Sequence, residues 1–116
     1  MYSVFVDYDD VDVMSAVSDA VTASVEDGLT PVSVIVWKTS EKHYHVELRF
    51  EDDADVDDVS IVSKCVLADP NYVELVRIHR HSFGRVSAAL KDLKPKRRPV
   101  KIVIVTREGL KNAGLI

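Results

Sequence analysis

The chain has 116 residues, is 47% hydrophobic and carries a net charge of −4, which fits one domain over residues 1–116 with one core and excludes a disordered chain. No apolar run reaches the roughly 20 residues that span a bilayer, and Met1–Val4 lacks a basic leader before an apolar block, so we expect a cytoplasmic protein without a membrane partner. The one cysteine, Cys65, excludes an intrachain disulfide and a cysteine-based zinc site within one chain.

Charge is strongly segregated along the chain. Residues 1–70 contain 16 acidic and 4 basic side chains, whereas residues 71–116 contain 3 acidic and 11 basic ones. The acidic part can hold a cation and the basic C-terminal part, which we expect to complete the sheet, can contact phosphates. The alternative is two solvated faces of opposite sign. The absence of Gln and the presence of only two Asn are typical of proteins from hot environments.

The first predicted element is a strand over residues 2–8, where side chains alternate between two faces. A helix over residues 11–27 follows, with apolar residues every three or four positions and with Asp10 or Asp12 as its N-terminal cap. Gly28 suits the position after that helix. The predicted apolar stripe of the helix is Met14, Val17, Val21 and Val25.

Two further strands, over residues 32–38 and 43–50, are separated by the polar connector 39–42, which indicates a hairpin. The second of them alternates most regularly, with Tyr44, Val46, Leu48 and Phe50 on the face that we expect the helices to cover. An acidic loop leads to a predicted helix over residues 56–67, which ends before Pro70. The apolar stripe of this helix is Val56, Val59, Val62 and Val66.

The C-terminal part contains one ambiguous segment. Residues 72–79 fit either a strand or a helix, residues 85–93 suit a helix, and residues 94–99 form a basic loop bounded by prolines. Residues 100–106 are a final strand, and the tail over residues 107–116 suits a helical turn.

This order of elements predicts an α+β domain of the ferredoxin-like kind, which resembles RRM and palm domains, with helices on one face of a mostly antiparallel sheet. The other face is then open. The residues that we expect on this open face are Phe5, Asp7, Asp9, Ile35, Trp37, His43, His45, Glu47 and Arg49.

Acidic and histidine side chains on the open face predict a metal site. Asp7 and Asp9 point the same way from one strand and can share a divalent cation such as magnesium or manganese. His43 and His45 have the same spacing and can also ligate a metal. The alternatives are that Asp9 and its neighbours only cap the first helix and that the histidines are an exposed pair.

Aromatic and basic residues predict contacts with a single-stranded nucleic acid or a nucleotide. Trp37 on the open face can stack on bases, unless it is buried against a partner or the C-terminal segment. Lys96, Arg97, Arg98 and Lys101, in and after the basic loop, can contact phosphates, unless this loop is only solvated.

Two segments resemble the archaeo-eukaryotic primase–polymerase superfamily. Residues 4–9, Val-Phe-Val-Asp-Tyr-Asp, are similar to its Asp-x-Asp strand, and residues 38–46 are similar to its Lys-Thr-Ser-Gly-x-Gly-x-His-Val segment, with Glu41 and His43 in place of the glycines. The resemblance implies that Asp7 and Asp9 bind catalytic metal and that Ser40 and His45 contact nucleotide phosphates.

The third acid of that superfamily lies on a later strand. Residues 69–76 resemble this strand, but Val76 stands at the acidic position and Glu74 is the nearest acid. The short chain looks like the minimal palm domains that archaeal viruses and plasmids encode, which implies replication in the cytoplasm of a host cell. The expected function is therefore a minimal or degenerate primase-like palm.

A second, local resemblance gives an alternative. Residues 43–50 are similar to the His-hydrophobe-His strand of rolling-circle replication initiators, in which the histidines hold a metal and a later tyrosine attacks DNA. The resemblance implies metal binding by His43 and His45 and a nucleophilic role for Tyr72. A third reading is a non-catalytic protein that forms a homodimer through the open sheet face.

Overall fold

A computed structural model describes residues 1–83 and 99–116. The predicted helix over residues 85–93 and the basic loop up to residue 98 therefore lie outside the described residues. The elements are β1 (Tyr2–Asp9), α1 (Val13–Glu26), β2 (Ser33–Ser40), β3 (His43–Phe50), α2 (Asp58–Ser63), α3 (Pro70–His79), β4 (Val100–Thr106) and α4 (Arg107–Asn112).

The four described strands form one open sheet in the order β1-β3-β2-β4, and every neighbouring pair is antiparallel. β1 and β2 both run antiparallel to the strand between them, so α1 connects two parallel strands as in a split β-α-β unit. Helices pack on this sheet, which confirms the expected α+β class and is compatible with a ferredoxin-like fold.

The core lies between the helices and the face of the sheet that was predicted to be covered. Val46 and Leu48 of β3 are fully buried in it, and Tyr44 packs against it. The predicted register of β3 is thereby confirmed, since a slip of one residue would have moved all three side chains to the other face. Val4, Val6 and Tyr8 supply the core residues of β1, and Val34 and Val36 those of β2.

The predicted stripe of α1 was only partly right. Val17 and Val21 are buried, but Met14 is 72% exposed and Val25 is 42% exposed. The buried stripe is completed by Ala16, Ala20, Ala23 and Ser24. These small side chains let α1 approach the sheet closely, and their low hydrophobicity hid them from a pattern that counted only larger apolar residues. Asp12 is the N-cap, as one of the two predicted alternatives, and its carboxylate accepts from the N–H of Ser15.

The structure resolves one ambiguous segment and corrects the bounds of one predicted helix. The ambiguous segment 72–79 is helical, because Asp69 caps α3 and Pro70 occupies its first turn, where a proline costs no hydrogen bond. The predicted helix over residues 56–67 is shorter, since α2 ends at Ser63, and Val66 at 85% exposure is not part of an apolar stripe. No helix within residues 1–83 and 99–116 has the length and apolar character to cross a membrane.

One irregularity interrupts the ladder between β2 and β4. Val36 pairs with Val103, but the next residue of β2, Trp37, pairs with Lys101, so Ile102 is the extra residue of a β-bulge. Beyond the bulge, the strand continues with Lys101 on the open face beside Trp37.

Candidate functional site

Three carboxylates meet where β1 ends and α3 begins. Asp7 and Asp9 belong to β1, and Asp69 is the N-cap of α3. One oxygen from each of the three carboxylates lies within 4.8 Å of the others. The backbone N–H of Asp69 donates to the carbonyl oxygen of Asp7 at 2.8 Å, so the start of α3 is tied to the edge of the sheet next to the acids.

Asp69 is a site residue that the sequence analysis missed. We expected a third acid from the segment 69–76 read as a strand, and Glu74 was its nearest acid. In the helix, the Glu74 carboxylate instead lies 3.5 Å from Arg77, with both side chains 61% exposed. The available signal was the Asp69-Pro70 pair, which is typical of a helix N-terminus as well as of the end of the preceding element.

The two histidines face the two strand acids across the sheet. Asp7 lies opposite His45 and Asp9 lies opposite His43 in the antiparallel register. The His45 Nδ1 is 3.4 Å from a carboxylate oxygen of Asp7, and the His43 ring forms a hydrogen bond with Asp9. Each of the two predicted acids thus has one of the predicted histidines beside it, but the cluster of ligand atoms within 4.8 Å of one another consists of Asp7, Asp9 and Asp69.

Burial has opposite consequences for the two members of the Asp7–His45 pair. Loss of water, together with the neighbouring carboxylates of Asp9 and Asp69, raises the pKa of Asp7 to about 7. Loss of water lowers the pKa of His45 to about 4. At neutral pH the imidazole is therefore neutral and Asp7 is close to half protonated, although the two groups are within ion-pair distance.

The chemistry of this donor set fits a hard divalent cation. Magnesium and manganese prefer carboxylate oxygens, and three of them converge here. A neutral imidazole at His45 is available as a further ligand or as a hydrogen-bond partner of bound water. A bound cation would relieve the crowding of negative charge that raises the pKa of Asp7.

The pairing continues from the acids across the open face to Trp37 and Lys101. Trp37 lies opposite His45 on one side and Lys101 on the other. The indole Nε1 donates to a carboxylate oxygen of Glu47 at 3.1 Å, and Ser3 donates to the other oxygen at 2.7 Å. The Lys101 Nζ lies 5.3 Å from the centre of the indole, within the range of a cation–π contact.

The remaining predicted site residues are placed differently. Ser40 is exposed at the end of β2, where it pairs with His43. Lys96, Arg97 and Arg98 lie outside the described residues.

Tyr72 is a buried core residue with 8% exposure. Its hydroxyl donates to the carbonyl of Phe5 at 2.6 Å and accepts from the N–H of Phe83 at 3.2 Å. Burial, together with the nearby carboxylates of Asp7 and Asp58, raises the pKa of this phenol.

Comparison of the chain with protein-family models, with characterised proteins and with solved structures gave no match.

Proposed function

We propose that this chain is a minimal primase-like palm domain that binds a divalent cation at Asp7, Asp9 and Asp69 and handles a nucleotide or single-stranded nucleic acid on its open sheet face. The observation that carries the proposal is the convergence of three carboxylates beside His45, one of them supplied by α3. The third acid that such a palm needs, and that the sequence pattern did not supply, is then Asp69.

The carboxylates would hold the cation, which neutralises charge on phosphate oxygens and positions them for transfer. His45 stands next to Asp7 in the same row of the sheet and would donate a hydrogen bond to a phosphate. Ser40 lies near His43 at the edge of the same face and would be a second phosphate contact.

Trp37 would stack on a base of the bound nucleotide or nucleic acid, and Lys101 would contact a phosphate of the same ligand. The hydrogen bond to Glu47 fixes the indole, so little side-chain freedom is lost when a base stacks on it. Lys101 lies close enough to move from the ring to a phosphate.

Manganese binding tests the cation site directly. Titration calorimetry or electron paramagnetic resonance on the metal-free chain is expected to show one bound Mn²⁺, with at least tenfold weaker binding in Asp69→Asn. The matched control is Asp10→Asn, since Asp10 is an exposed neighbour outside the cluster and its positive φ of 58° is one that Asn tolerates. Equal binding by Asp69→Asn and the unaltered chain would overturn the proposed site.

Activity is tested with labelled single-stranded DNA, nucleotides and manganese on denaturing gels. Extension products that disappear in Asp7→Asn and persist in Tyr72→Phe are expected. A covalent protein–DNA adduct that depends on Tyr72 would instead identify a rolling-circle-type enzyme. That alternative needs an accessible nucleophile, whereas the Tyr72 hydroxyl has two backbone partners in the core. Binding of neither metal nor nucleic acid by the folded chain would favour the non-catalytic homodimer.

A further inference from the structure

The carboxylate of Asp19 contacts both segments of the chain that carry the candidate cation ligands. Asp19 lies in α1, on the helix-covered side of the sheet. One of its oxygens accepts from the Tyr8 hydroxyl at 2.9 Å and also from the backbone N–H of Leu67 at 3.2 Å. Tyr8 stands between the two acids of β1, and Leu67 stands two residues before Asp69.

These hydrogen bonds close a ring of contacts around the start of α3. The Tyr8 hydroxyl joins β1 to Asp19, and the Leu67 N–H joins Asp19 to the segment between α2 and α3. The backbone N–H of Asp69 then returns to β1, at the carbonyl of Asp7. Because the segment that ends in Asp69 is held at two points, the Asp69 carboxylate is fixed relative to those of β1.

The interior of a helix is an unfavourable place for an aspartate. Asp19 is also too far from the start of α1 to act as its N-cap, which is Asp12. Within residues 1–83 and 99–116, no basic side chain forms an ion pair with Asp19. The hydrogen bonds to Tyr8 and Leu67 therefore account for an acid at this position.

We propose that Asp19 is a positioning residue of the candidate cation site, which holds Asp69 beside the two acids of β1. This inference rests on the cation site of the proposed function. Asp19 is not one of the three carboxylates that converge there, so it acts through its two hydrogen-bond partners. Residues that orient metal ligands in this way contribute strongly to metal affinity, although they do not touch the metal.

Manganese binding followed by electron paramagnetic resonance tests the effect of Asp19 on affinity. Asp19→Ala removes the acceptor and should weaken Mn²⁺ binding about tenfold. Asp19→Asn keeps a carbonyl oxygen for the same two donors, so its affinity should stay within about twofold of that of the unaltered chain, although the charge is lost. The matched control is Glu26→Ala, which removes the same charge from an exposed position of the same helix and should leave the affinity unchanged.

Amide hydrogen exchange of the metal-free chain tests the position of Asp69 without a cation. The Asp69 N–H is bonded to Asp7 and not to Asp19, so it should exchange faster in Asp19→Ala only if the start of α3 has moved from β1. Amides in the middle of β3 should be unchanged, and Asp19→Asn should keep the slow exchange. Tyr8→Phe is a second, milder variant, since it removes one hydroxyl from the ring of contacts, and it should weaken Mn²⁺ binding a few-fold.

The possible outcomes distinguish this inference from the proposed function. Absence of Mn²⁺ binding by the unaltered chain would overturn the proposed cation site and, with it, the role of Asp19 there. Normal Mn²⁺ binding by Asp19→Ala, or unchanged exchange of the Asp69 amide in that variant, would overturn the role of Asp19 alone. Equal losses in Asp19→Asn and Asp19→Ala would also overturn it, because charge rather than hydrogen bonding would then set the affinity.

Discussion

β1 and β4 are the two outer strands of one sheet, yet they are built in opposite ways. On the face opposite the helices, Phe5 of β1 is only 7% exposed, whereas Ile104 of β4 is 59% exposed. The outer edge of β1 also accepts hydrogen bonds from the N–H of Asp69, the N-cap of α3, and from the Tyr72 hydroxyl. The same contacts that cover the β1 edge thus assemble the candidate site.

The largest expected effect compares Tyr72 with Ile104. Tyr72→Ala should lower the free energy of unfolding by about 4 kcal/mol, because it removes a buried aromatic ring and leaves the Phe5 carbonyl without its donor. Ile104→Ala should change it by less than about 0.5 kcal/mol, because this side chain is 59% exposed. Urea unfolding followed by circular dichroism gives both values, and equal losses at the two positions would remove the contrast between the edges.

A second prediction concerns the pH dependence of stability at the β1 edge. Asp7 has a pKa of about 7 in the folded chain against 3.8 in a model peptide, so between these values the folded state holds the extra proton and stability falls as pH rises. His45 has a pKa of about 4 against 6.5, so the unfolded state holds the extra proton and stability rises with pH. The two effects cancel between about pH 4 and 6.5.

Single substitutions separate the pH dependence of stability that is due to Asp7 from that due to His45. In Asp7→Asn, stability should rise by roughly 3 kcal/mol between about pH 4 and 6.5, since only the His45 effect remains. In His45→Asn, stability should fall as pH rises from about 4 to 7. Urea titrations in EDTA at several pH values measure both slopes, and parallel curves for the two variants would contradict the opposed titrations.

The smallest effect is expected at the β4 end of the open face. Lys101→Ala should reduce the slope of log affinity for single-stranded DNA against log salt by about one, the loss of a single phosphate contact. Trp37→Phe keeps an aromatic surface but loses the hydrogen bond to Glu47, so it should lower affinity about threefold with the slope unchanged. Fluorescence anisotropy at several salt concentrations separates the two, and a change of slope in Trp37→Phe would contradict these roles.

The central strands could be predicted from the sequence because alternation of apolar and polar residues specifies both the strand and its face. Tyr44, Val46 and Leu48 lie where this pattern put them, and the other face collects Asp7, His45 and Trp37 as expected. Phe5 and Ile35 of that face, which was predicted to be open, are nevertheless buried. The β-branched residues of the segment 72–79 indicated a strand as readily as a helix, and the choice was made by the Asp69 cap and by Pro70.

The part of the candidate site that lies on β1 and β3 could be predicted from the sequence. Asp7, Asp9, His43 and His45 are neighbours because of a register that the sequence pattern specifies. Asp69 reaches them through a tertiary hydrogen bond between backbone groups, and backbone groups carry no sequence signal. The same holds for Tyr72, whose burial depends on how α3 packs against β1.

The bulge at Ile102 reverses which face of the sheet the preceding residues of β4 point to. In a regular strand the residue two positions before Val103 would point to the same side as Val103, which is the side of the core. Because Ile102 is inserted, the alternation of faces is reversed, and the Lys101 side chain lies on the face that carries Trp37. Deletion of Ile102 would place Lys101 directly before Val103, so a regular ladder without the bulge would keep Lys101 opposite Trp37.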